Sequence, residues 1–335
     1  MERWSKEKIS RWWDAQQWPV GVNYVPTDAV NDIEMWMDAT FNAPLIEREL
    51  KTVARFGMNT VRVFLSYTVW LHEQDRFLAN FETFLTLAEQ AGVSVMPVLF
   101  DDCAFDFEKD PVYGVQPAPV PGVHNSRWVP SPGFSVQDDP DQLPSCEAYV
   151  RAVIGRHRAD SRIIVWDLYN EPGNSRRKEK ALPLLKNAFA WARACDPIQP
   201  LTAGPWMHGG NEAVENWCVD HSDVISFHAY TPLERTKELL ERFAACDRPL
   251  LITEWMHRPA GNTIESHLPL FCSRKIGVWQ WGMIQGKTQT NLSWSTMNGG
   301  TPDANPTLWQ HDLLYADGTA YCQAELDLIV RLTQG

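Results

Sequence analysis

Two glutamates end short apolar segments of this chain, and that placement is typical of carboxyl groups that face a cleft. Glu171 lies in the segment Trp-Asp-Leu-Tyr-Asn-Glu-Pro at 166–172, and Glu254 follows the apolar run at 250–253. Apolar residues can be buried without penalty up to a charged terminus that opens into a polar cleft. Glycoside cleavage requires two such carboxyl groups, because one must protonate the leaving oxygen while the other attacks the anomeric carbon or activates water. The competing interpretations are a carboxylate that caps the next helix for Glu171 and a buried structural ion pair for Glu254.

The chain around these glutamates alternates between short β-branched segments and amphipathic helical segments, as in βα units around a parallel sheet. The predicted strands span 19–24, 60–65, 94–100, 162–169, 200–203, 223–228, 249–254 and 276–281. The predicted helices span 45–56, 77–91, 147–159, 181–194, 234–245 and 319–332. A doubly wound open sheet is the competing fold, but no Gly-x-Gly-x-x-Gly follows the first strand, where a dinucleotide-binding fold would need it.

Eight strands that alternate with helices predict an α/β fold, a (β/α)8 TIM barrel that forms one domain over residues 1–335. Long loops are expected after strand three, at about 101–140, and after strand eight, at 283–309. Both loops leave the carboxyl ends of strands, the face on which barrel enzymes build their active sites. Glu171 and Glu254 are three βα units apart, which in a barrel places them across the mouth from one another.

The composition favours a carbohydrate partner over a nucleic acid or a membrane. The formal net charge is −12, which argues against binding to nucleic acid or to an anionic membrane. Sixteen tryptophans are available to stack on sugar rings, although any one of them is more often part of a core. Seven widely spaced cysteines form neither a disulfide framework nor a zinc ligand set, and no cofactor or metal is expected.

Targeting features are not evident in the sequence. No segment reaches the roughly 18 apolar residues of a membrane span, and residues 1–20 lack the apolar region of a signal peptide. A cytoplasmic protein is therefore expected, unless a signal peptide has been removed. The sequence does not indicate an oligomeric state.

The order of these motifs resembles that of the clan A glycoside hydrolases, most closely family 5, the cellulase-like barrels. The resemblance spans roughly residues 19–281. It implies a retaining enzyme that cleaves a β-glycosidic bond in an oligo- or polysaccharide by double displacement, of the cellulase, mannanase or xylanase kind. In that mechanism, Glu171 corresponds to the acid/base and Glu254 to the nucleophile.

Five further positions match the family pattern in strand order, and the resemblance implies a role in substrate binding for each. Arg62 orients the nucleophile and keeps it ionised by charge pairing. Asn170 hydrogen-bonds the 2-hydroxyl of the sugar, Tyr230 hydrogen-bonds the nucleophile, and His228 lines the subsite at the cleaved bond. Of the two tryptophans in strand eight, Trp281 is the expected ring-stacking platform because it lies nearer the carboxyl end.

Strand three departs from the family pattern. Family 5 enzymes usually have a histidine near its end, where this chain has Phe-Asp-Asp-Cys at 100–103. Either His124 replaces that histidine from the long loop, or Asp101 binds a sugar hydroxyl instead. The two long loops are also expected to close one end of the cleft and to favour exo-action on short chains.

Two functions of other classes stay open. The first is a carbohydrate-binding barrel that has lost catalysis, and the intact pair Glu171 and Glu254 argues against it. The second is a metal-dependent barrel hydrolase of amides or esters, with Asp101, Asp102 and His208 as candidate ligands. No His-x-His follows the first strand, where such a hydrolase would need it.

Overall fold

The computed structural model describes residues 2–105, 110–297, 299–301, 305 and 307–334. Over this part of the chain, strands and helices alternate. The strands are β1 (Val20–Asn23), β2 (Thr60–Phe64), β3 (Ser94–Asp101), β4 (Trp166–Asn170), β5 (Leu201–Gly204), β6 (Ile225–Ala229), β7 (Leu250–Trp255) and β8 (Gly277–Trp281). The helices are α1 (Lys6–Asp14), α2 (Asp32–Trp36), α3 (Ala43–Arg55), α4 (Tyr67–His72), α5 (Gln74–Gln90), α6 (Phe134–Asp138), α7 (Leu143–His157), α8 (Leu182–Ala194), α9 (Glu212–His221), α10 (Leu233–Ala244), α11 (Ile264–Ser273) and α12 (Gln323–Gln334).

The eight strands form one parallel sheet that curves into a ring. Its order is β5-β4-β3-β2-β1-β8-β7-β6, so that β1 pairs with both β2 and β8. β5 and β6, the first and last strands in this order, meet where the backbone N–H of Asp223 donates to the carbonyl of Leu201, at 2.8 Å. The hydroxyl of Thr202 donates to the carbonyl of Val224 at 2.9 Å along the same seam. The predicted single-domain (β/α)8 barrel is therefore confirmed.

Local sequence signals set the ends of the helices that surround the barrel. The side chain of Asn42 accepts a hydrogen bond from the backbone N–H of Leu45 and so caps the first turn of α3. After the end of α3, the chain turns away from the helix axis at Gly57, whose φ of 79° lies in the left-handed region. A Cβ atom at this position would also clash with the Thr333 side chain of α12, so glycine is required for the two helices to approach.

The amino-terminal end of the barrel is closed by α1. Ile9 of this helix packs into a buried apolar cluster that also contains Trp279, the first tryptophan of β8. The other buried members of the cluster are Met96, Val165, Val224 and Leu251. With Trp279 at this end, Trp281 is the tryptophan of β8 that reaches the carboxyl-terminal mouth, as predicted from its position in the strand.

Some elements differ from their predicted bounds. β4 begins at Trp166 rather than at 162, because Ile163 makes only an isolated bridge with Val95. Six helices in the described part of the chain were not predicted, namely α1, α2, α4, α6, α9 and α11. Of these, α9 is rich in polar residues, and α11 contains Pro269, a residue that usually interrupts a helix. The last helix begins at Gln323 rather than at 319.

The long loops after β3 and β8 are both present at the mouth of the barrel. The first returns to its own strand, since the backbones of Asp101 and Ser131 exchange hydrogen bonds of 2.7 and 2.9 Å. Residues 106–109 of the first loop, and 298, 302–304 and 306 of the second, lie outside the described residues. Among the described helices, none has the length and apolar character needed to cross a membrane.

Candidate active site

Glu171 and Glu254 face each other across the carboxyl-terminal mouth. Glu171 directly follows β4, and Glu254 lies in β7 beside His228 of β6, at a shift in the strand register. One oxygen of each carboxylate lies within 4.8 Å of an oxygen of the other. Both side chains are buried, with 6% and 8% of the residue surface exposed. The sequence placed the two glutamates at strand ends, and the structure brings them together.

The backbone at Glu171 is held in an unfavourable conformation. Its φ of 46° lies in the left-handed region, which costs energy for a residue other than glycine. Two positions further on, the backbone N–H of Gly173 donates to the Asp102 carboxylate at 2.8 Å. Asp102 also accepts hydrogen bonds from Tyr169 at 2.7 Å and Gln137 at 2.8 Å. Asp102, which the sequence suggested only as a metal ligand, therefore anchors the turn that aims Glu171.

Arg62 is fully buried beneath the glutamates, and its guanidinium group donates to several acceptors. Nη1 donates to Glu254 at 3.0 Å and to Asn23 at 2.7 Å. Nη2 donates to Asn170 at 2.6 Å, and Nε donates to Asp167 at 3.0 Å. The structure places Arg62 next to Glu254, as the resemblance implies. Asn23 and Asp167 were missed, although each is a polar side chain beside apolar residues in a buried strand and this signal could have found them.

Burial has the largest effect on the pKa of both glutamates. It raises the pKa of Glu171 to about 7, although a hydrogen bond from Asn174 and the charge of Arg62 favour the ionised form. Burial also raises the pKa of Glu254 above its usual value, opposed by His228 and Arg62. Of two carboxyl groups this close, the one that is bonded directly to a guanidinium ionises first. The arrangement thus favours an ionised Glu254 opposite a protonated Glu171.

His228 lies between the two glutamates and contacts both. Its Nδ1 atom is 2.8 Å from Glu171 Oε1 and 3.4 Å from Glu254 Oε2. Burial lowers the pKa of His228 to about 4, so the ring is neutral at neutral pH. The ionised carboxylate of Glu254 only accepts hydrogen bonds, so the proton of the neutral ring is assigned to Nδ1, which lies within reach of both glutamates. His228 therefore donates to the glutamate oxygens and does not add a positive charge there.

Tyr230 and Trp281 both line the cavity. The hydroxyl of Tyr230 donates to Glu254 Oε2 at 2.9 Å, the contact that the resemblance implies. Trp281 packs edge-to-face against Phe64 and Trp128, with ring centroids 5.6 Å apart in both pairs. These neighbours hold the indole ring of Trp281 in one orientation in the cavity lining.

Asp101 does not line the cavity, in contrast to the alternative in which it binds a sugar hydroxyl. Its Oδ1 accepts from Asn170 Nδ2 and from the backbone N–H of Cys103, both at 2.8 Å. Its Oδ2 accepts from Trp128 Nε1 at 2.8 Å, and only 2% of the residue is exposed. Both carboxylate oxygens are thus committed to protein donors, and Asp101 orients Asn170 from behind.

His124, the other candidate for the missing histidine of strand three, does line the cavity. It enters from the loop after β3 and is buried, with ring edges directed at Trp294 and His311 of the loop after β8. Burial lowers the pKa of His124 to about 4. The structure therefore places a neutral histidine ring in the site from a direction that strand order alone does not predict.

The side chains described above surround a cavity of about 550 Å3 above the glutamates, within the size range of small-molecule sites. Seven of the nine predicted site residues line it, and Arg62 and Asp101 lie behind them. The lining also includes residues that were not predicted as site residues, among them Phe64, Cys103, Phe105, Asn125, Trp128, Asn174, Trp206, Met207, Trp294, Met297 and His311. Most belong to loops, whose aromatic content was the only signal that pointed to them.

Two groups of described residues could offer ligand atoms to a metal ion. Glu171, His228 and Glu254 have such atoms within 4.8 Å of one another, but a guanidinium and a tyrosine hydroxyl already hold the oxygens of Glu254. The second group, Glu82, His157 and Asp160, lies on the outside of the barrel, where Arg162 bridges the two carboxylates. In both groups, a metal ion would have to compete with an arginine that is already in place.

Comparisons with known proteins agree with this architecture. Residues 13–300 match the family model described as cellulase (glycosyl hydrolase family 5). A search of curated proteins gives no match.

Several solved structures have a similar fold. GH5_18 from Streptomyces cattleya in complex with GlcNAc is 14% identical with a TM-score of 0.66, and the match covers 96% of this chain and 80% of that chain. An endo-beta-1,4-mannanase from Thermotoga petrophila is 12% identical with a TM-score of 0.63, over 96% and 77% of the two chains. The exo-beta-1,4-mannosidase Op5Man5 from Opitutaceae bacterium strain TAV5 is 18% identical with a TM-score of 0.61, over 94% and 59%. At these identities, the likeness concerns the fold.

Proposed function

The chain belongs to glycosyl hydrolase family 5, and from that premise we propose that it cleaves a β-glycosidic bond with retention of configuration. The observation that carries the proposal is the closeness of the two carboxylates, which have oxygens within 4.8 Å of one another. Retaining enzymes hold the pair about 5–5.5 Å apart, whereas inverting enzymes leave about 6.5–9.5 Å for a water molecule. All site residues belong to one barrel, so we take residues 1–335 as one catalytic domain.

In the first step, an oxygen of Glu254 forms a bond to the anomeric carbon, and the bond from that carbon to the leaving oxygen breaks. Glu171 gives its proton to the leaving oxygen. The raised pKa of Glu171, about 7, keeps this proton available in neutral solution. Arg62 and Tyr230 each hold one oxygen of Glu254, so the nucleophile is oriented before the sugar arrives.

In the second step, Glu171 acts as a base. It takes a proton from water, the water oxygen bonds to the anomeric carbon, and the ester bond to Glu254 breaks. While Glu254 is esterified it carries no negative charge, so the ionised form of Glu171 is no longer opposed by a neighbouring anion. This change lowers the pKa of Glu171 between the two steps. A residue that acts first as an acid and then as a base requires such a change.

The substrate class is a β-linked oligosaccharide or glycoside. We propose β-1,4-mannosides as the first substrates to test, because similar folds include proteins described as a mannanase and a mannosidase. β-Glucosides and β-xylosides belong in the same panel, since these sugars differ from mannose only in hydroxyl orientation or in the exocyclic carbon.

The test measures hydrolysis of this panel by the wild type and by Glu254→Gln and Glu171→Gln. Glu265→Gln is the matched control, because Glu265 is an exposed carboxylate on α11. We expect cleavage of one sugar class, abolished in Glu254→Gln and unchanged in Glu265→Gln. Equal activity in the wild type and Glu254→Gln would contradict the assignment. Ligand-induced thermal shifts without any cleavage would instead favour a carbohydrate-binding barrel.

A further inference from the structure

The loops after β3 and β8 are hydrogen-bonded to each other over the mouth of the barrel. The backbone N–H of Asn125 donates to the carbonyl of Thr288 at 2.7 Å. The side chain of Gln289 accepts from the backbone N–H of Gly122 at 2.9 Å and donates to the carbonyl of Val120 at 2.8 Å. We call these two segments, 120–125 and 288–296, the loop bridge. It connects the loops of β3 and β8, the strands that flank β1 and β2 in the sheet, across the top of the cavity.

His124 joins the two segments of the loop bridge through both its backbone and its ring. Its backbone N–H donates to the hydroxyl of Thr296 at 2.9 Å, and its Nδ1 lies 2.8 Å from the carbonyl of Leu292. A carbonyl oxygen only accepts, so Nδ1 carries the proton and Nε2 keeps a free lone pair. The ring lines the cavity. His124 thus offers a hydrogen-bond acceptor to a ligand, while its other nitrogen holds the two loops together.

The loop bridge lies on the side of the nucleophile. Its Trp294 packs edge-to-face on Tyr230, with ring centroids 4.9 Å apart, and Tyr230 bonds Glu254. On the other side of the cavity, beyond Glu171, the lining comes from the loop after β5, where Trp206 packs on the exposed His208 ring at 4.0 Å. The two sides of the cavity therefore differ: hydrogen-bonded loops cover the first, and half-exposed rings line the second.

In retaining hydrolysis, the two sides of the cavity bind different parts of the substrate. The sugar that stays on the enzyme in the intermediate is bonded to Glu254, whereas the leaving group departs from the side of the acid, Glu171. The glycone, the non-reducing part of the substrate, therefore lies beneath the loop bridge. The leaving group extends towards Trp206.

We propose that the loop bridge closes the glycone end of the cavity, so that the enzyme removes a single sugar at a time from the non-reducing end. We further assign His124 as a residue that determines specificity, with its Nε2 accepting a hydrogen bond from a hydroxyl of that terminal sugar. This inference rests on the proposed function, since it takes Glu254 and Glu171 as nucleophile and acid. A residue of this kind would fill the place left open by the missing histidine of strand three.

The first test follows tetrasaccharides of β-1,4-linked mannose, glucose or xylose that carry a 2-aminobenzamide label on the reducing end. The expected labelled products are the trisaccharide, then the disaccharide, then the monosaccharide, with only unlabelled monosaccharide released. Labelled and unlabelled disaccharides at the earliest time points would show internal cleavage and overturn the closed end. If no substrate is cleaved and Glu254→Gln behaves as the wild type, the proposed function fails instead, and the inference fails with it.

The second test uses His124→Asn. The amide nitrogen of asparagine can still donate to the carbonyl of Leu292 from near the position of Nδ1, but no acceptor remains at the position of Nε2. We expect a fall of about ten- to a hundred-fold in kcat/KM on the cleaved sugar. On a terminal sugar in which the recognised hydroxyl is replaced by hydrogen, the wild type and the variant should be equally slow. A variant that still discriminates between the hydroxyl and deoxy sugars would overturn the role of His124.

His124→Gln and Gln289→Ala separate recognition from folding. Glutamine places a polar group near the position of Nε2, so His124→Gln should recover part of the discrimination that His124→Asn loses. Gln289→Ala removes the bonds to the backbone at 120, 122 and 123 without changing a lining residue. It should raise the share of internal cleavage of the labelled tetrasaccharides. An unchanged product pattern in a folded Gln289→Ala protein would contradict closure by the loop bridge.

Discussion

Replacement of Tyr230 by phenylalanine is expected to narrow the pH range of activity from the acidic side. The change removes the hydroxyl that donates to Glu254 Oε2 at 2.9 Å and keeps the ring. A hydrogen bond to a charged acceptor contributes about 1.5–3 kcal/mol. About 1.36 kcal/mol of preference for the ionised form corresponds to one pKa unit, so the pKa of Glu254 should rise by roughly one to two units.

The direction in which the pH profile shifts follows from the roles of the two glutamates. Glu254 must be ionised to attack, so a higher pKa moves the acidic limb of kcat/KM to higher pH. The basic limb follows loss of the proton from Glu171, whose pKa burial raises to about 7, and it should not move. Tyr230→Phe should also lower the maximum of kcat/KM by about ten- to a hundred-fold, because the nucleophile is held by one donor fewer.

The assay is kcat/KM for an aryl β-glycoside between about pH 4 and pH 9, in the wild type, Tyr230→Phe and Tyr315→Phe. Tyr315 is the control because it lies on the surface, with 40% of the residue exposed. An acidic limb at the same pH in the wild type and Tyr230→Phe would refute the reasoning. A shift of both limbs together would show instead that Tyr230 acts on the pair as a whole.

Three further outcomes are expected. Glu171→Gln should lower kcat about 10²–10⁴-fold for alkyl glycosides, which need a proton on the leaving oxygen, and far less for dinitrophenyl glycosides. Equal losses on both substrates would argue against Glu171 as the acid. Asp102→Asn should lower the free energy of unfolding by about 1–3 kcal/mol in chemical denaturation, because an acceptor of three hydrogen bonds becomes partly a donor. Asp75→Asn, at an exposed position, is the control. Equal stability of the two variants would contradict the anchoring role of Asp102. Dialysis against EDTA should leave kcat/KM unchanged, and a loss that zinc restores would favour a metal-dependent hydrolase.

The part of the site that the sequence predicted lies on strands. Glu171, Glu254, His228 and Tyr230 were selected at or near strand ends and Arg62 from within β2, and a barrel brings the carboxyl ends of its strands to one mouth whatever its loops do. Of the hydrogen-bond partners of Arg62, Asn23 ends β1 in the same way, whereas Asp167 is the second residue of β4. Neither matches a position of the family pattern, and their polarity within a buried strand was the remaining signal for them.

The part that could not be predicted lies on loops and on contacts distant in sequence. The position of His124 depends on hydrogen bonds to Thr296 and Leu292, more than 160 residues away along the chain. The role of Asp101 likewise depends on Trp128, which its own loop brings back to β3. No local periodicity encodes such contacts. For the same reason α11 was missed, since Pro269 inside it reads locally as a break.

The most direct test of the central claim is the configuration of the sugar at the moment of its release. Proton NMR can follow the anomeric signal during hydrolysis of an aryl β-glycoside, at an enzyme concentration high enough for cleavage to outpace mutarotation. Double displacement through Glu254 predicts that the β anomer forms first and that the α anomer appears only later by mutarotation. An α anomer as the first product would contradict the assignment of Glu254 as a nucleophile and would leave it as a base that activates water.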